Sequence, residues 1–215
     1  MSVLPDDDPE VVVRERADGA TELRVNGVFV MDDLETSSER LLAEQVLADG
    51  ARSVLVGGLG LGYTTRALLD GGAARVVVAE LHPGVVRAVA DGAGAGPFDD
   101  PRLELVIEDV ARVVADQPTA SLDAICLDVD NGPDFLVHPG NAALYATDFL
   151  RTARAALRPG GRLVVWSMAD SADLRASLAE VLEDVRAERV PVTLQGRDEA
   201  YWLLSGRAPA LGSRA

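Results

Sequence analysis

The sequence is poor in the residues on which several classes of protein depend. Cys126 is the only cysteine among 215 residues, so no disulfide can form within the chain. His82 and His138 are the only histidines, and no cysteine or carboxylate cluster at ligand spacing completes either, so we expect no metal site. No run of about 18 apolar residues occurs, so we also expect no membrane span. No G-x-S-x-G pattern is present, which argues against a serine hydrolase.

Positive charge and a targeting segment are also lacking. The formal net charge is −15, and such a field repels nucleic-acid phosphates and favours small cations. The start, MSVLPDDDPE, has neither the basic residues nor the apolar stretch of a signal peptide. We therefore expect a cytoplasmic protein that binds neither nucleic acid nor membrane. Cys126, in AICLDVD, is interpreted as a buried hydrophobe on a strand rather than as a nucleophile.

What is present fits one globular α/β protein. The hydrophobic fraction of 48% and the charged fraction of 26% are near the averages for soluble proteins. We predict an N-terminal unit over residues 1–50, a larger main domain over 51–206 and a flexible tail over 207–215.

The N-terminal unit is predicted as a β-hairpin or meander followed by a helix. EVVVRE, TELRV and VFVM are separated by Asp18-Gly19 and Asn26-Gly27, which supply the positive φ angles of tight turns. A helical pattern follows, with Ser37 or Ser38 available as its N-cap. Such a unit is too small to bury its own faces, so we expect it to pack on the main domain or on a second subunit.

After Arg52, short apolar strands alternate with helical stretches. Apolar residues at nearly every strand position indicate strands covered on both faces, as in a parallel sheet between helices. ERVPVTLQG and EAYWLLSG predict a final antiparallel hairpin at the sheet's edge. We therefore predict a doubly wound, mostly parallel, seven-stranded sheet. The predicted segments are SVLVG, YTTRALLDGG, RVVVAE, PGVVRAVADG, LELVIE, VARVVADQ, LDAICLDVD, ALYATDFLRTARAALRPGG, RLVVWSM and DLRASLAEVLEDV.

A glycine-rich turn follows the first strand of this domain. Gly58, Gly60 and Gly62 in VGGLGLGY allow a nucleoside to approach the backbone, and Glu80 ends the next strand, where a carboxylate can accept both ribose hydroxyls. Tyr63 stands after Gly62, so the dinucleotide pattern G-x-G-x-x-G is not completed. The turn predicts an adenosine-type ligand rather than a dinucleotide.

Asp109 follows the third strand of the domain and has two interpretations. Its carboxylate could accept a hydrogen bond from the adenine amine, or it could cap the following helix. The two roles are compatible, and the sequence leaves both open.

Taken together, several segments resemble the spermidine synthase family, a branch of the class I methyltransferase fold that uses decarboxylated S-adenosylmethionine. They are VLVGGLGLG, VVVAELHPGVV, IEDV, AICLDVDNGP, ALYATDFLRTARAALRPGGRLVV and, upstream, LRVNGVFVMDD. The resemblance implies that the glycine loop and Glu80 hold the nucleoside, that Asp109 meets the adenine, and that Asp128 accepts a proton from the attacking amine. It also implies a homodimer.

The resemblance is weaker in the half of the site that would bind the acceptor. Leu61 stands where the family's loop usually carries an acid, and the Tyr-His pair of the family's polyamine pocket is missing from GVFVMDDLETSSERLLAEQVLADG. Asp128 and Asp130 are also closer together than the family's two acids. Besides aminopropyl transfer from decarboxylated S-adenosylmethionine to an amine, two alternatives therefore stay open: methyl transfer from S-adenosylmethionine to a small molecule, and nucleoside binding without turnover.

We predict that the catalytic residue and the residues along the acceptor's path lie in LDVDNGP. An ammonium group must lose a proton before its nitrogen can attack a sulfonium carbon, and Asp128, at the end of a buried strand, is placed to take that proton. Asp130 and Asn131 are predicted to line the acceptor's path, with Asp130 holding a cation; alternatively, both acids bind amides of their own loop. His138 is a further candidate for a substrate contact. Trp166 and Trp202 are interpreted as packing residues.

Overall fold

Two β-sheets, one of three strands and one of seven, organise the chain. The computed structural model describes residues 10–129, 131–136, 138–194 and 197–210. Within these ranges the strands are β1 (Val11–Glu15), β2 (Thr21–Val25), β3 (Val28–Asp32), β4 (Ser53–Gly57), β5 (Arg75–Glu80), β6 (Leu103–Ile107), β7 (Leu122–Leu127), β8 (Leu157–Ser167), β9 (Glu183–Leu194) and β10 (Arg197–Arg207). The helices are α1 (Ser37–Ala48), α2 (Tyr63–Asp70), α3 (Pro83–Ala90), α4 (Val110–Ala115), α5 (Thr147–Ala156) and α6 (Ala172–Ala179), with a 3-10 helix over Pro139–Tyr145.

The first three strands form the antiparallel meander predicted from the sequence. Gly19 and the Asn26-Gly27 pair adopt positive φ angles in its two turns, as the turn residues required. The meander packs on the main domain, because Val11 of β1 lies against Gly84 of α3. The division of the chain at residue 50 stays a prediction.

The large sheet has the strand order β6-β5-β4-β7-β8-β10-β9. The pairs β6-β5, β5-β4, β4-β7 and β7-β8 are parallel, whereas β10 pairs antiparallel with both β8 and β9. The predicted doubly wound, mostly parallel, seven-stranded sheet of class I methyltransferase type is confirmed, as is the hairpin at its edge. The direction of winding reverses between β4 and β7, which places the carboxyl ends of β4, β5 and β7 around one crevice.

Helices cover both faces of the sheet. Leu42 of α1, Leu68 of α2 and Val85 of α3 pack on one face, together with buried residues of the meander. Val113 of α4, Leu150 of α5 and Leu178 of α6 pack on the other. In the part of the chain that the structure describes, no helix is long and apolar enough to cross a membrane.

Four local predictions differ from the structure. Helix α1 begins at Ser37 after Thr36, so neither Ser37 nor Ser38 is its N-cap, and Ser38 is fully buried. The stretch ALYATDFLRTARAALRPGG divides between the 3-10 helix, α5 and β8, because the chain enters the sheet already at Leu157. Strand β9 likewise begins at Glu183, before the predicted ERVPVTLQG. Strand β6 lies at the sheet's edge and exposes Ile107, so it is not covered on both faces.

Candidate functional site

A cavity of about 520 Å³ opens beyond the carboxyl ends of β4, β5 and β7, beneath the N-terminal meander. This volume is within the range of small-molecule sites. Of the residues predicted to form the site, six line this cavity: Gly58, Gly60, Glu80, Asp109, Asp128 and Asn131. Asp130 lies outside the described residues. Gly62 is not among the lining residues.

The glycine loop crosses the floor of the cavity. Gly58 has a φ of +87°, and a Cβ at this position would overlap the carbonyl oxygen of Asp128. Gly60 has a φ of +52° and lies under the sulfur of Met31, so a Cβ there would come within 2.8 Å of that atom. A Cβ at Gly58 would thus meet backbone atoms, whereas at Gly60 it would meet only the flexible Met31 side chain; the positive φ favours glycine at both positions.

Gly62 lies against another part of the chain, and its role in ligand binding stays a prediction. It precedes α2 with a φ of +85°, and a Cβ would come within 2.9 Å of the ring of Phe98. Leu61 is fully buried, and its side chain belongs to the core rather than to the cavity lining. The leucine that stands where an acid was expected therefore does not contribute its side chain to the site.

Glu80 is held rigidly at the end of β5. Its Oε2 accepts a hydrogen bond from the Leu59 N–H at 2.9 Å, and its Oε1 accepts one from the His82 N–H at 2.8 Å. The carboxylate therefore fastens the glycine loop to the start of α3, where His82 is the N-cap residue and Pro83 the first helical residue. Each oxygen retains a further lone pair that can accept a hydrogen bond from a ligand hydroxyl.

Asp109 caps α4. Its Oδ1 accepts a hydrogen bond from the Ala111 N–H at 2.8 Å, so the capping role that the sequence left open is present. The residue also lines the cavity next to Val110. A contact between Asp109 and adenine stays a prediction.

Asp128 follows β7 and lies at the centre of the site. Its backbone N–H donates to Gly57 O at 2.8 Å, and its Oδ2 accepts a hydrogen bond from Thr64 Oγ1 at 3.1 Å. Burial raises the pKa of Asp128 to about 6, and the hydrogen bond from Thr64 opposes that rise. A carboxyl with a pKa near neutrality is suited to general base catalysis.

The structure adds a second acid, Glu39, that sequence reasoning missed. Glu39 lies in the first turn of α1, is only 9% exposed and lines the same cavity. Burial raises its pKa to about 7, with a further contribution from Asp128. Acids in the first helical turn are common on helix surfaces, so no local pattern indicated that this one is buried.

Trp166 takes a polar role besides packing. Its Nε1–H donates to Ser38 Oγ at 3.0 Å, and the Ser38 hydroxyl donates to Glu39 Oε2 at 2.7 Å. The Trp166 ring also lies 4.7 Å from that of Tyr201, tilted by 50°, and both rings line the cavity. Burial, followed by the charge of Glu39 and other acids, raises the pKa of Tyr201 to about 12, so its phenol stays protonated.

Large apolar side chains line the same cavity as these acids. Phe29, Leu34 and Met168 are at least 41% exposed and all line the cavity. Asn131 lines it as well and accepts the Met168 N–H through its backbone oxygen at 3.0 Å. His138, predicted as a possible substrate contact, is among the lining residues. This end of the site combines acidic groups with apolar surface.

Two other sequence interpretations concern residues away from the ligand surface. Cys126 is fully buried in β7, where burial raises the pKa of its thiol, so it is not an activated nucleophile. Trp202 packs against the core on the opposite face of the sheet.

Across the described ranges, no group of three or more His, Cys, Asp or Glu residues is arranged to hold a metal ion.

Comparison with known proteins finds relatives that are named polyamine aminopropyltransferases. The chain is 36% identical over 162 residues to the polyamine aminopropyltransferase of Mycobacterium tuberculosis, covering 73% of this chain and 30% of that protein. It is 33% identical over 208 residues to the polyamine aminopropyltransferase of Nitrosomonas europaea, covering 90% of this chain and 62% of that protein. The chain thus spans less than two thirds of either relative. No family model matches it.

Solved structures share the fold. A spermidine synthase in complex with the transition-state analogue AdoDATO superposes with a TM-score of 0.77 at 19% identity, covering 96% of this chain and 72% of the other. The spermidine synthase of Thermotoga maritima gives a TM-score of 0.74 at 19% identity, with coverage of 96% and 71%.

Proposed function

Because the chain is a relative of the polyamine aminopropyltransferases of the spermidine synthase family, we propose that it transfers an aminopropyl group from decarboxylated S-adenosylmethionine to a small amine. The observation that carries the proposal is the position of Asp128, a carboxyl with a raised pKa directly beside the glycine loop. It lies where a nucleoside's sulfonium carbon and an incoming amine would meet.

The chemistry requires such a group. An ammonium nitrogen has no free lone pair, so it must lose a proton before it can displace the thioether from the sulfonium carbon. Asp128 would attract the cation and accept that proton. The leaving sulfur takes the electrons of the C–S bond and becomes the neutral thioether of methylthioadenosine, so no acid is needed to assist its departure.

The donor half of the cavity supports a nucleoside. Gly58 and Gly60 keep side chains away from the ligand, while Glu80 is fixed by two backbone amides with lone pairs left for the ribose hydroxyls. Asp109 would meet the adenine amine with the carboxylate oxygen that is not used for capping, Oδ2. The nucleoside would thus be bound by the ends of β4, β5 and β6.

The acceptor half supports an amine with an alkyl body. Glu39 and Asp128 supply negative charge to the cavity lining, and Phe29, Leu34 and Met168 supply apolar surface to the same lining. Asn131, and Asp130 as a cation partner, remain part of this proposed acceptor path. The Trp166 ring, which lines the cavity, would make a cation–π contact with the acceptor there.

Product identification tests the proposal. The protein would be incubated with decarboxylated S-adenosylmethionine or S-adenosylmethionine and a panel of mono-, di- and triamines, and the nucleoside product separated by chromatography. We expect methylthioadenosine, formed only when an amine is present. S-adenosylhomocysteine would instead indicate a methyltransferase, and nucleoside binding without any product would indicate a non-catalytic protein. Either result contradicts the proposal.

We also propose a homodimer, as the family resemblance implied. The meander already packs on its own main domain, so a partner would cover its outer surface. Sedimentation at micromolar concentration tests this, and a monomer throughout would overturn it.

A further inference from the structure

Glu39 is oriented by hydrogen bonds that leave little freedom. An indole N–H can only donate, so Ser38 Oγ must accept from Trp166 and is left with its own proton to donate to Glu39. These two hydrogen bonds connect β8 to α1 and end on Glu39 Oε2. A carboxyl held in this way is positioned for a role beyond filling space.

Thr64 connects Glu39 with Asp128. Its Oγ1 lies 3.1 Å from Asp128 Oδ2 and 3.5 Å from the backbone oxygen of Glu39. Thr64 is buried in the first turn of α2, and its two contacts hold α1 and the end of β7 close together. Both acids line one cavity, and the charge of Asp128 acts on Glu39 there.

Among the described residues, the groups whose charge or phenol bears on Glu39 are acidic or phenolic, while Arg16, which follows β1, lines the same cavity. The acidic and phenolic groups are Asp128 from the end of β7, Glu35 from the segment before α1, Tyr63 from α2 and Tyr201 from β10. Burial together with this surrounding negative charge makes it costly for Glu39 and Asp128 to be ionised at once. The raised pKa values of both acids, about 7 and about 6, agree with that cost.

We propose that Glu39 and Asp128 work as one acid pair, which shares a proton in the empty cavity, releases it when the acceptor ammonium enters, and then takes the acceptor's proton on Asp128. This inference rests on the proposed function. Glu39 is a positioning residue in it: its negative charge makes Asp128 a stronger base only after a cation has entered.

The proton balance closes over one turnover. The entering ammonium displaces the shared proton into solvent, and both carboxylates are then ionised. Asp128 takes one proton from the ammonium, the free amine attacks the sulfonium carbon, and the C–S electron pair stays on sulfur. The product nitrogen carries the positive charge away as a secondary ammonium, and the pair is left with one proton, as at the start.

Glu39→Gln tests the pair, because it keeps the shape and removes the second charge. In the parent protein, the acidic limb of kcat/KM against pH reports ionisation of the whole pair. In Glu39→Gln the same limb reports ionisation of Asp128 alone. We therefore expect the limb to move to lower pH by about one unit and the plateau value of kcat/KM to be lower. Glu44→Gln, at an exposed position of the same helix, should leave the profile unchanged.

A second measurement needs no turnover. In a carboxyl ¹³C NMR titration of the protein, with Asp128 assigned from Asp128→Asn, the parent should show Asp128 titrating in two steps. Glu39→Gln should show one step at lower pH. Ser38→Ala, which removes the donor that favours ionised Glu39, should shift Asp128 in the same direction by less.

The outcomes separate the two proposals. If methylthioadenosine forms with none of the amines, the proposed function is overturned. The NMR titration still decides whether the acid pair exists. An Asp128 titration that is unchanged by Glu39→Gln overturns the pair. A uniform loss of rate with an unmoved acidic limb also overturns it, because that is the result expected of a purely structural Glu39.

Discussion

Thr64 Oγ1 and Asp128 Oδ2 form a hydrogen bond of 3.1 Å, although 64 positions separate the two residues in the chain. The bond joins the first turn of α2 to the end of β7, across the point where the winding of the sheet reverses. It fixes one oxygen of Asp128 and leaves the other for the cavity. The site therefore presents a carboxyl that is held in place and still able to accept a proton.

Asp128→Asn should remove the base while preserving the shape of the cavity. We expect kcat for aminopropyl transfer to fall on the order of a hundredfold or more, because the acceptor's proton has no carboxylate to receive it. Methylthioadenosine binding, measured by calorimetry, should persist. Asp116→Asn, at the exposed end of α4, is the control and should keep full activity. A variant at position 128 as fast as the parent would show that Asp128 is not the base.

Glu80→Gln should weaken nucleoside binding by about tenfold, which corresponds to about 1.4 kcal/mol. Each oxygen of the Glu80 carboxylate accepts a backbone N–H, and the nitrogen of glutamine cannot accept either one. The glycine loop or the start of α3 would lose an anchor. Calorimetric titration with methylthioadenosine measures the effect, and Glu104→Gln on the exposed edge strand β6 is the control. Equal affinities for the two variants would contradict this role.

Gly58→Ala should destabilise the protein more than Gly72→Ala. The two glycines have nearly equal φ angles of +87° and +90°, so both substitutions carry the same backbone strain. Only at Gly58 would the new Cβ overlap other atoms, those of Asp128, whereas at Gly72 nothing lies within 4 Å. We expect an additional loss of about 1–3 kcal/mol in the free energy of unfolding, measured in urea. No difference between the variants would mean that the loop moves freely away from Asp128.

Trp166→Phe should cost more stability than Trp202→Phe. The first substitution removes the donor to the buried Ser38 hydroxyl. We expect this loss to lower the free energy of unfolding by about 1–3 kcal/mol. The second changes an indole that packs on the opposite face of the sheet. Urea unfolding of both variants provides the comparison. Losses of equal size would indicate that the hydrogen bond to Ser38 adds nothing to ring packing.

The Glu39 carboxyl should also make stability depend on pH. Its pKa in the folded protein, about 7, is above its ordinary value of 4.5, so the folded state binds more protons than the unfolded state between these values. The free energy of unfolding should therefore fall as pH rises from about 4.5 to about 7.5, by on the order of 2 kcal/mol relative to Glu39→Gln.

Unfolding in urea at several pH values measures this difference. The lowered pKa of Asp100, about 2, acts at more acidic pH and is common to both proteins, so it cancels. The raised pKa of Asp128 lies within the window and adds to the fall in the same direction, because Glu39→Gln lowers it. Glu44→Gln should follow the parent protein. A difference between parent and Glu39→Gln that does not change over this pH range would rule out the raised pKa.

Much of the fold was predictable because its signals are local. Asp18-Gly19 and Asn26-Gly27 identified the turns of the meander, and runs such as RVVVAE identified strands covered by helices. Predictions failed at boundaries, as where β8 begins at Leu157, because pairing with β7 extends the strand into a segment that resembles the end of a helix. The family resemblance, read from short motifs, is confirmed by the relatives of this chain.

The sequence by itself determined the residues at the carboxyl ends of the parallel strands. Glu80 and Asp128 each end an apolar run, and parallel strands bring such ends to one edge whatever the packing of the helices. The tertiary structure alone decided that Glu39 and Asp128 line one cavity, that Trp166 is linked to Glu39 through Ser38, and that Gly62 lies against Phe98. These relationships depend on how α1, α2 and β8 are rotated against one another. That rotation is set by core packing between segments far apart in the chain, which no local pattern records.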